Sequence, residues 1–335
     1  MAVINPAQQG SSTNALPDLV ICASKERIKG AGEDAFALQY SESKTNTGYI
    51  AVFDGCGGMG AQKYQKAKNQ SGARLASNIT ADIVDRFYSA PNDGFHFDGK
   101  DAERLEQKLR SVLQTVKQEI GEHSSFVIGG DLFRELPTTA SIIVSKTGND
   151  GSVYCEYLWA GDSRGYMLNG DGICQITEDD LETEEDAYSN LQSDARLSNV
   201  VNADKAFVMH EKVIKLNSPV MLITATDGCF GYLRTPMHFQ HLLLNTLMRS
   251  TNEKAWEQNL INELDKIAGD DCAIVISIYG CGSFEECKRM FMKLYGMHNT
   301  KYIKPLAADE SEEAAAALWE KFKPAYYREF VQKRR

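Results

Sequence analysis

Three short apolar segments of this chain each end on an aspartate, and a fourth apolar segment begins directly after a pair of aspartates. The first three lead into Asp54, Asp162 and Asp227, and the fourth follows Asp270 and Asp271. Short segments that are rich in Val, Ile and aromatic residues and bounded by glycine are typical of buried strands. Carboxylates gathered at the ends of strands repel one another unless a cation lies between them. The sequence therefore predicts a site for hard metal ions on a β scaffold.

The size and charge of the chain exclude several classes of protein. Its 335 residues can bury a large core, and 43% hydrophobic and 24% charged residues are ordinary for a soluble globular protein. The net charge of −10 argues against a protein that binds nucleic acid by general electrostatic attraction. No apolar stretch approaches the ~20 residues that span a bilayer. The polar N-terminus lacks the features of a secretory signal, and the eight cysteines show no zinc-type spacing. We therefore expect a cytoplasmic protein with reduced thiols and no membrane span.

Hydrophobic periodicity predicts an α+β domain with mostly antiparallel strands. Apolar residues recur at helical spacing over residues 75–87 and 105–120, so we expect two amphipathic helices on the outside of the sheets. Further helices are predicted over 238–248 and 253–267. The predicted strands cover residues 19–23, 35–40, 49–53, 139–145, 152–160, 165–168, 173–177, 206–216, 220–226 and 272–278.

The pattern divides the chain into three parts: a disordered lead-in over 1–17, one domain over 18–280, and a helical C-terminal appendage over 281–335. Within the domain, the polar stretch 179–202 lacks periodicity, and we expect it to be a mobile flap. In the appendage we expect helices over 284–295 and 311–322, the second of them ended by Pro324. The sequence leaves open whether the appendage caps the domain, dimerises or docks a partner.

Short acidic and glycine-rich blocks stand in a fixed order along the chain: Gly32-Glu33-Asp34, Asp54-Gly55-Cys56-Gly57-Gly58, Thr138-Thr139-Ala140, Gly161-Asp162-Ser163-Arg164, Thr226-Asp227-Gly228 and the closing pair Asp270-Asp271. The first five match, in the same order, blocks of the metal-dependent protein phosphatases known as PP2C, and the closing pair resembles the last block of that family. Each block alone is weak evidence because Asp-Gly pairs are common in turns, but the ordered set resembles this family strongly. The resemblance implies a four-layer α-β-β-α sandwich of two sheets flanked by helix pairs. We expect the two threonines of the third block to hydrogen-bond beside the site rather than to react.

The resemblance also implies a chemistry. Asp54 would bridge two Mn²⁺ or Mg²⁺ ions, the Gly55 carbonyl would bind one of them, and Asp227 and Asp270 would hold the other. An oxygen-only ligand set suits these ions better than zinc, and all six histidines lie outside the blocks. A hydroxide between two such ions would attack the phosphorus of phosphoserine or phosphothreonine. The resemblance thus implies a protein serine/threonine phosphatase that acts on a phosphorylated protein and opposes a kinase.

Three more acidic positions match the family. The resemblance implies that Glu33 and Asp34 act through metal-bound waters and that Asp162 belongs to a third, weaker metal site. The alternative for Asp162 is a turn aspartate paired with Arg164. Gly231 stands where the family often has a further aspartate, so the occupancy of the third site stays open.

Two positions depart from the family's pattern. Lys29 stands where the family has its phosphate-binding arginine, and a lysine offers a point charge instead of a bidentate fork. Cys56 stands where many eukaryotic members have histidine as a candidate general acid, which favours the bacterial-like branch. Cys56, Cys229 and Cys272 each follow a predicted ligand by two residues. They either fill small buried gaps or make the site sensitive to oxidation.

The sequence leaves three functions open. The first is the protein phosphatase just described. The second is a PP2C-like module that binds phosphoproteins with little or no turnover, although such modules usually lose the aspartates that are present here. The third is a metal phosphoesterase for small molecules.

Overall fold

The computed structural model describes residues 16–41, 47–90, 95–121, 134–183, 185–192 and 195–328. Most of the predicted lead-in and the end of the appendage lie outside these ranges. Within the described residues, no helix combines the length and the apolar character that crossing a membrane requires. The strands and helices, in chain order, are β1 Leu19–Lys25, β2 Ala35–Ser41, β3 Thr47–Phe53, β4 Lys63–Tyr64, β5 Gln70–Ser71, α1 Gly72–Ser89, α2 Asp101–Ile120, β6 Ala140–Thr147, β7 Ser152–Ala160, β8 Arg164–Asn169, β9 Gly172–Gln175, α3 Ala187–Asn190, β10 His210–Asn217, β11 Val220–Ala225, α4 Pro236–Arg249, α5 Glu253–Ile267, β12 Cys272–Tyr279, α6 Phe284–His298, α7 Lys304–Ala308 and α8 Glu312–Tyr326.

Two five-stranded antiparallel sheets form the centre of the molecule. The first sheet has the order β1-β12-β11-β8-β9 and the second has the order β10-β7-β6-β3-β2. Their facing sides enclose one hydrophobic cluster, which includes Val52, Tyr157, Met167, Leu222 and Val275. Alternate residues of each strand point outwards, where helices cover them. The observed class is therefore α+β, which confirms the prediction of a four-layer α-β-β-α sandwich.

Different helices cover the two outer faces. On the second sheet, α1 and α2 bury Val84, Phe87, Leu105 and Leu109 against outward residues of β3 and β6, as their amphipathic patterns predict. On the first sheet, α4 and α5 share a cluster with residues of α6 and α8. The appendage therefore contributes to the core of the first sheet's outer layer.

Two predicted boundaries are wrong by four residues each. The strand expected from residue 206 begins at His210, and the preceding Val208 is exposed instead of packed in a sheet. Helix α8 continues past Pro324 to Tyr326. Phe322 and Tyr326 are both buried on α8, and Tyr327 still donates a backbone hydrogen bond to Lys323, so the packing of the last turn outweighs the bond that proline removes.

Candidate active site

Strand pairing brings the acidic blocks to one edge of the sandwich. Ala225, near the end of β11, pairs with Arg164 at the start of β8 on one side and with Ile274 of β12 on the other. Asp227 therefore lies between the block that contains Asp162 and the block that precedes β12. In the second sheet, β3 pairs with β2 and β6, which brings the block after Phe53 beside the beginnings of these two strands.

These blocks line one open cleft with a volume of ≈ 1140 Å³. The predicted site residues that the cleft brings together are Glu33, Asp34, Asp54, Gly55, Asp162, Asp227 and Asp270. Lys29 does not join them, because its exposed side chain lies on the loop before Glu33, outside the lining of the cleft.

The backbone at Asp54 is held by the two threonines of the third block. The Thr138 hydroxyl and the Thr139 amide donate hydrogen bonds to the Asp54 carbonyl at 2.7 and 2.8 Å, and the Asp54 amide donates to the Thr139 hydroxyl at 3.2 Å. Both threonines therefore hold the backbone of Asp54 by hydrogen bonds, in the structural role that the sequence predicts. A Cβ at Gly55 would lie 2.6 Å from the Ala73 carbonyl oxygen, so the chain passes here only because the residue is glycine.

Hydrogen bonds also link the acidic blocks to each other. The Thr226 hydroxyl donates to Asp34 Oδ2 at 2.7 Å, which joins the beginning of β2 to the end of β11. The Asp271 carboxylate accepts the backbone amides of Arg27 at 2.7 Å and Glu33 at 2.6 Å. No sequence pattern predicts this role for Asp271. Its only signal in the sequence is its place as the second member of the acidic pair.

The carboxylates of the cleft destabilise one another's charged forms. Burial raises the pKa of Asp54 well above its usual range, and repulsion from the neighbouring Asp34 and Asp227 raises it further. Burial together with repulsion from Asp227 raises the pKa of Asp34 to about 8 and that of Asp162 to about 8. A bound cation would reverse these shifts, because it stabilises the charged form of each group. The cleft is therefore a place where positive charge binds favourably.

The donor chemistry of the cleft fits hard divalent ions. Its candidate ligands are carboxylates and the Gly55 carbonyl, and oxygen donors of this kind suit Mg²⁺ and Mn²⁺. Nevertheless, among the residues that the structure describes, no group of three or more His, Cys, Asp or Glu side chains is arranged so that it could hold a metal ion as it stands. Binding of a metal ion would therefore require the acidic side chains to change their rotamers and move closer together, while hydrogen bonds already hold the backbone in place.

Arg164 pairs with Asp179 at the base of the flap. Its guanidinium donates to both Asp179 oxygens, at 2.9 Å from Nε and 2.6 Å from Nη2, and both side chains are almost fully buried. The guanidinium also lies 4.2 Å from the centre of the Phe230 ring. Arg164 therefore pairs with Asp179 of the flap. The alternative raised from the sequence was a pair between Arg164 and Asp162.

The cleft also contains residues that no sequence motif predicts. Flap residues Asn190, Gln192 and Arg196 line it, as does the half-exposed Tyr232 after the turn at Asp227. These residues follow no motif, and only the return of the flap over the sheet edge brings them to the acidic blocks.

The fold and the cleft together define a two-sheet sandwich with an acidic site at one edge. The model of the family described as protein phosphatase 2C matches residues 23–265, and the chain therefore belongs to this family. No curated protein sequence matches the chain.

Several solved bacterial phosphatases share the fold at low sequence identity. Serine/threonine phosphatase Stp1 from Staphylococcus aureus is 17% identical with a TM-score of 0.56, over 83% of this chain and 100% of that one. The phosphatase PstP/Ppp from Mycobacterium tuberculosis is 14% identical with a TM-score of 0.53, over 78% and 98%. The phosphatase MsPP from Mycobacterium smegmatis is 12% identical with a TM-score of 0.54, over 79% and 100%. These likenesses support the fold.

Proposed function

We propose that this chain is a metal-dependent protein serine/threonine phosphatase that acts on a phosphorylated protein and opposes a kinase. The observation that carries the proposal is that one cleft gathers the acidic blocks, where burial and next the neighbouring carboxylates raise the pKa of Asp54. The residues that would hold Mn²⁺ or Mg²⁺ are Glu33, Asp34, Asp54, the Gly55 carbonyl, Asp162, Asp227 and Asp270. When bound, two such ions would stabilise charge on the phosphoryl oxygens and supply a nucleophilic water at neutral pH.

The chain's own residues would orient the reaction. Asp54 lines the cleft, and hydrogen bonds from two threonines hold the backbone from which its carboxylate extends. The Thr226 hydroxyl holds one oxygen of Asp34. The Asp271 carboxylate accepts the backbone amide of Glu33 and so restricts the movement of the loop that carries Glu33 and Asp34. Hydrogen bonds that hold the ligands in position lower the free energy needed to arrange them around a positive charge.

Two cations are candidates for contact with the phosphate of the substrate. The first candidate is Lys29, because it stands at the position of the family's phosphate-binding arginine, on the exposed loop before the first acidic block. Arg196 is the second candidate, because it belongs to the flap and lines the cleft. Arg164 is less suitable, since its guanidinium is already committed to Asp179.

We predict that Asp227→Ala removes most of the metal-dependent turnover while the protein stays folded. Hydrolysis of a phosphothreonine peptide and of para-nitrophenyl phosphate should be measured with and without Mn²⁺. We expect kcat/KM for the peptide to fall by roughly a hundredfold or more, because a ligand of the proposed centre is lost. The matched control is Asp150→Ala, which removes an exposed aspartate whose partner is Lys215, in a turn outside the cleft.

A second function is favoured by one observation. Gly231 lines the cleft at a position where the family often has a further aspartate, which suits a PP2C-like module that binds phosphoproteins with little or no turnover. In that case wild-type protein would hydrolyse neither substrate with any metal, but would still retain the phosphopeptide. Such a result would overturn the proposed phosphatase activity.

A further inference from the structure

We propose that helix α8 of the appendage positions the flap, through Asp186, and thereby sets how the cleft accepts a protein substrate. The proposal deepens the proposed function and rests on it for the substrate. It concerns the described part of the flap, residues 185–192, and its contacts with the last two turns of α8. The model of the family ends at residue 265, so helix α8 lies outside the matched region.

Asp186 joins the flap to α8 with its two carboxylate oxygens. Oδ1 accepts the backbone amides of Tyr188 at 3.1 Å and Ser189 at 2.9 Å, which caps the short helix α3. Oδ2 accepts Trp319 Nε1 at 3.0 Å and Lys323 Nζ at 2.7 Å, both from α8. One side chain therefore starts the flap helix and ties it to the appendage.

Further contacts strengthen this junction. The Ala187 amide donates to the Tyr327 hydroxyl at 2.7 Å. The ring of Tyr188 lies 6.3 Å from that of Trp319, and Ala187, Tyr188 and Trp319 are all buried. Burial of aromatic surface together with charge-assisted hydrogen bonds makes the contact specific in position as well as stable.

The junction is connected to the cleft by hydrogen bonds. At the end of α3, the Asn190 amide group donates to Asp179 at 3.0 Å, and Asp179 pairs with Arg164 of the fourth block. From α8 itself, the Tyr326 hydroxyl donates to Gln175, which donates in turn to the same Asp179. Two routes thus lead from α8 to the base of the flap, and the flap residues between them line the cleft.

This arrangement separates substrate positioning from chemistry. The acidic blocks are fastened by threonines and by Asp271, and neither set of contacts involves α8. A small phosphate ester needs only the acidic blocks, whereas a phosphorylated protein must also fit against the flap. We therefore expect loosening of the junction to affect the peptide substrate more than para-nitrophenyl phosphate.

The test combines Trp319→Phe with Lys323→Ala in the full chain, which removes both donors to Asp186 Oδ2. The matched control is Lys321→Ala, at an exposed position of the same helix. A milder variant, Tyr327→Phe, removes only the hydroxyl that accepts the Ala187 amide. It replaces the double variant in the same test if the double variant does not fold. Amide hydrogen exchange over residues 187–192 is measured in each, without added metal.

We expect exchange over residues 187–192 to be roughly tenfold faster in the double variant than in the control. With Mn²⁺, kcat/KM for the phosphothreonine peptide should fall several-fold, mainly through KM, and that for para-nitrophenyl phosphate by less than about twofold. Unchanged exchange would overturn the role of α8. Faster exchange with equal losses in kcat for both substrates would overturn the role in substrate selection. If the wild-type protein hydrolyses neither substrate, the proposed function fails, and the exchange comparison still decides whether α8 holds the flap.

Discussion

At the scale of single residues, the loop after Asp54 contains a glycine that lies too close to other backbone atoms for any side chain. A Cβ at Gly55 would lie 2.6 Å from the Ala73 carbonyl oxygen and 2.7 Å from that of Glu33. Both obstacles are backbone atoms, so no side-chain rotation relieves the contact. We predict that Gly55→Ala lowers the free energy of unfolding by about 1–3 kcal/mol.

The same loop provides the control for this prediction. A Cβ at Gly58 meets no atom within 4 Å, and its φ is not in the left-handed region. Gly58→Ala should therefore change the free energy of unfolding by less than about 0.5 kcal/mol. Urea unfolding of the two variants beside the wild type measures both effects, and equal midpoints for Gly55→Ala and Gly58→Ala would contradict the steric argument.

Residue by residue, the sequence predicts the site better than it predicts what holds the site. The aspartates are recognisable because they end apolar segments and stand in ordered blocks. The fastening role of Asp271 and the pairing of Arg164 with Asp179 depend on contacts between distant segments, which no local pattern records. The flap residue Arg196 belongs to the same class, since the return of the flap brings it to the cleft.

At the scale of elements, strand β7 carries a buried acid opposite the start of helix α2. Glu156 is fully buried in the second sheet's outer layer, beside the carboxyl groups of Glu211 and Asp101. Burial, together with the carboxyl groups of Glu211 and Asp101, raises the pKa of Glu156 far above that of a free glutamate. The folded protein thus retains a proton here that the unfolded chain releases.

This shift predicts how stability depends on pH. Because the folded state binds one more proton than the unfolded state above the unfolded pKa of roughly 4.3, stability falls as pH rises from there. The slope contributed by this residue is at most about 1.4 kcal/mol per pH unit. We predict that Glu156→Gln is more stable than the wild type at pH 8, with a difference that narrows towards pH 5. Urea midpoints at several pH values measure it, and a constant difference would contradict the proton linkage. The exposed Glu178→Gln is the control.

Elements were predictable where burial follows a simple period. Helix α5 begins and ends at the predicted residues, Glu253 and Ile267, because its apolar stripe is regular and Asn252 caps it. The end of α8 was not predictable, because packing in three dimensions decides whether a helix continues past Pro324. Helix α3 was missed for a related reason, since it is only four residues long and is stabilised by contacts with α8.

At the scale of the whole molecule, the family resemblance predicted the layers but not the relation of the appendage to them. Local periodicity correctly indicated helices after residue 281, and it gave no indication of the face that they would cover. In the structure, α6 and α8 complete the hydrophobic layer that α4 and α5 begin on the first sheet. The appendage and the phosphatase fold therefore share one core layer as well as the junction with the flap.

A shared core predicts that these parts unfold together. Phe322 of α8 is buried and its ring packs near those of His298, Tyr302 and Trp319. We predict that Phe322→Ala lowers the free energy of unfolding by about 3–5 kcal/mol, because a large side chain leaves a cavity in a common layer. Glu320→Ala, at an exposed position of the same helix, should have little effect. Urea transitions followed by tryptophan fluorescence and by circular dichroism should coincide in the wild type and should shift together in Phe322→Ala. Two separate transitions, with only the earlier one shifted, would mean that the appendage is an independent unit and that its hold on the flap can be lost while the sandwich stays folded.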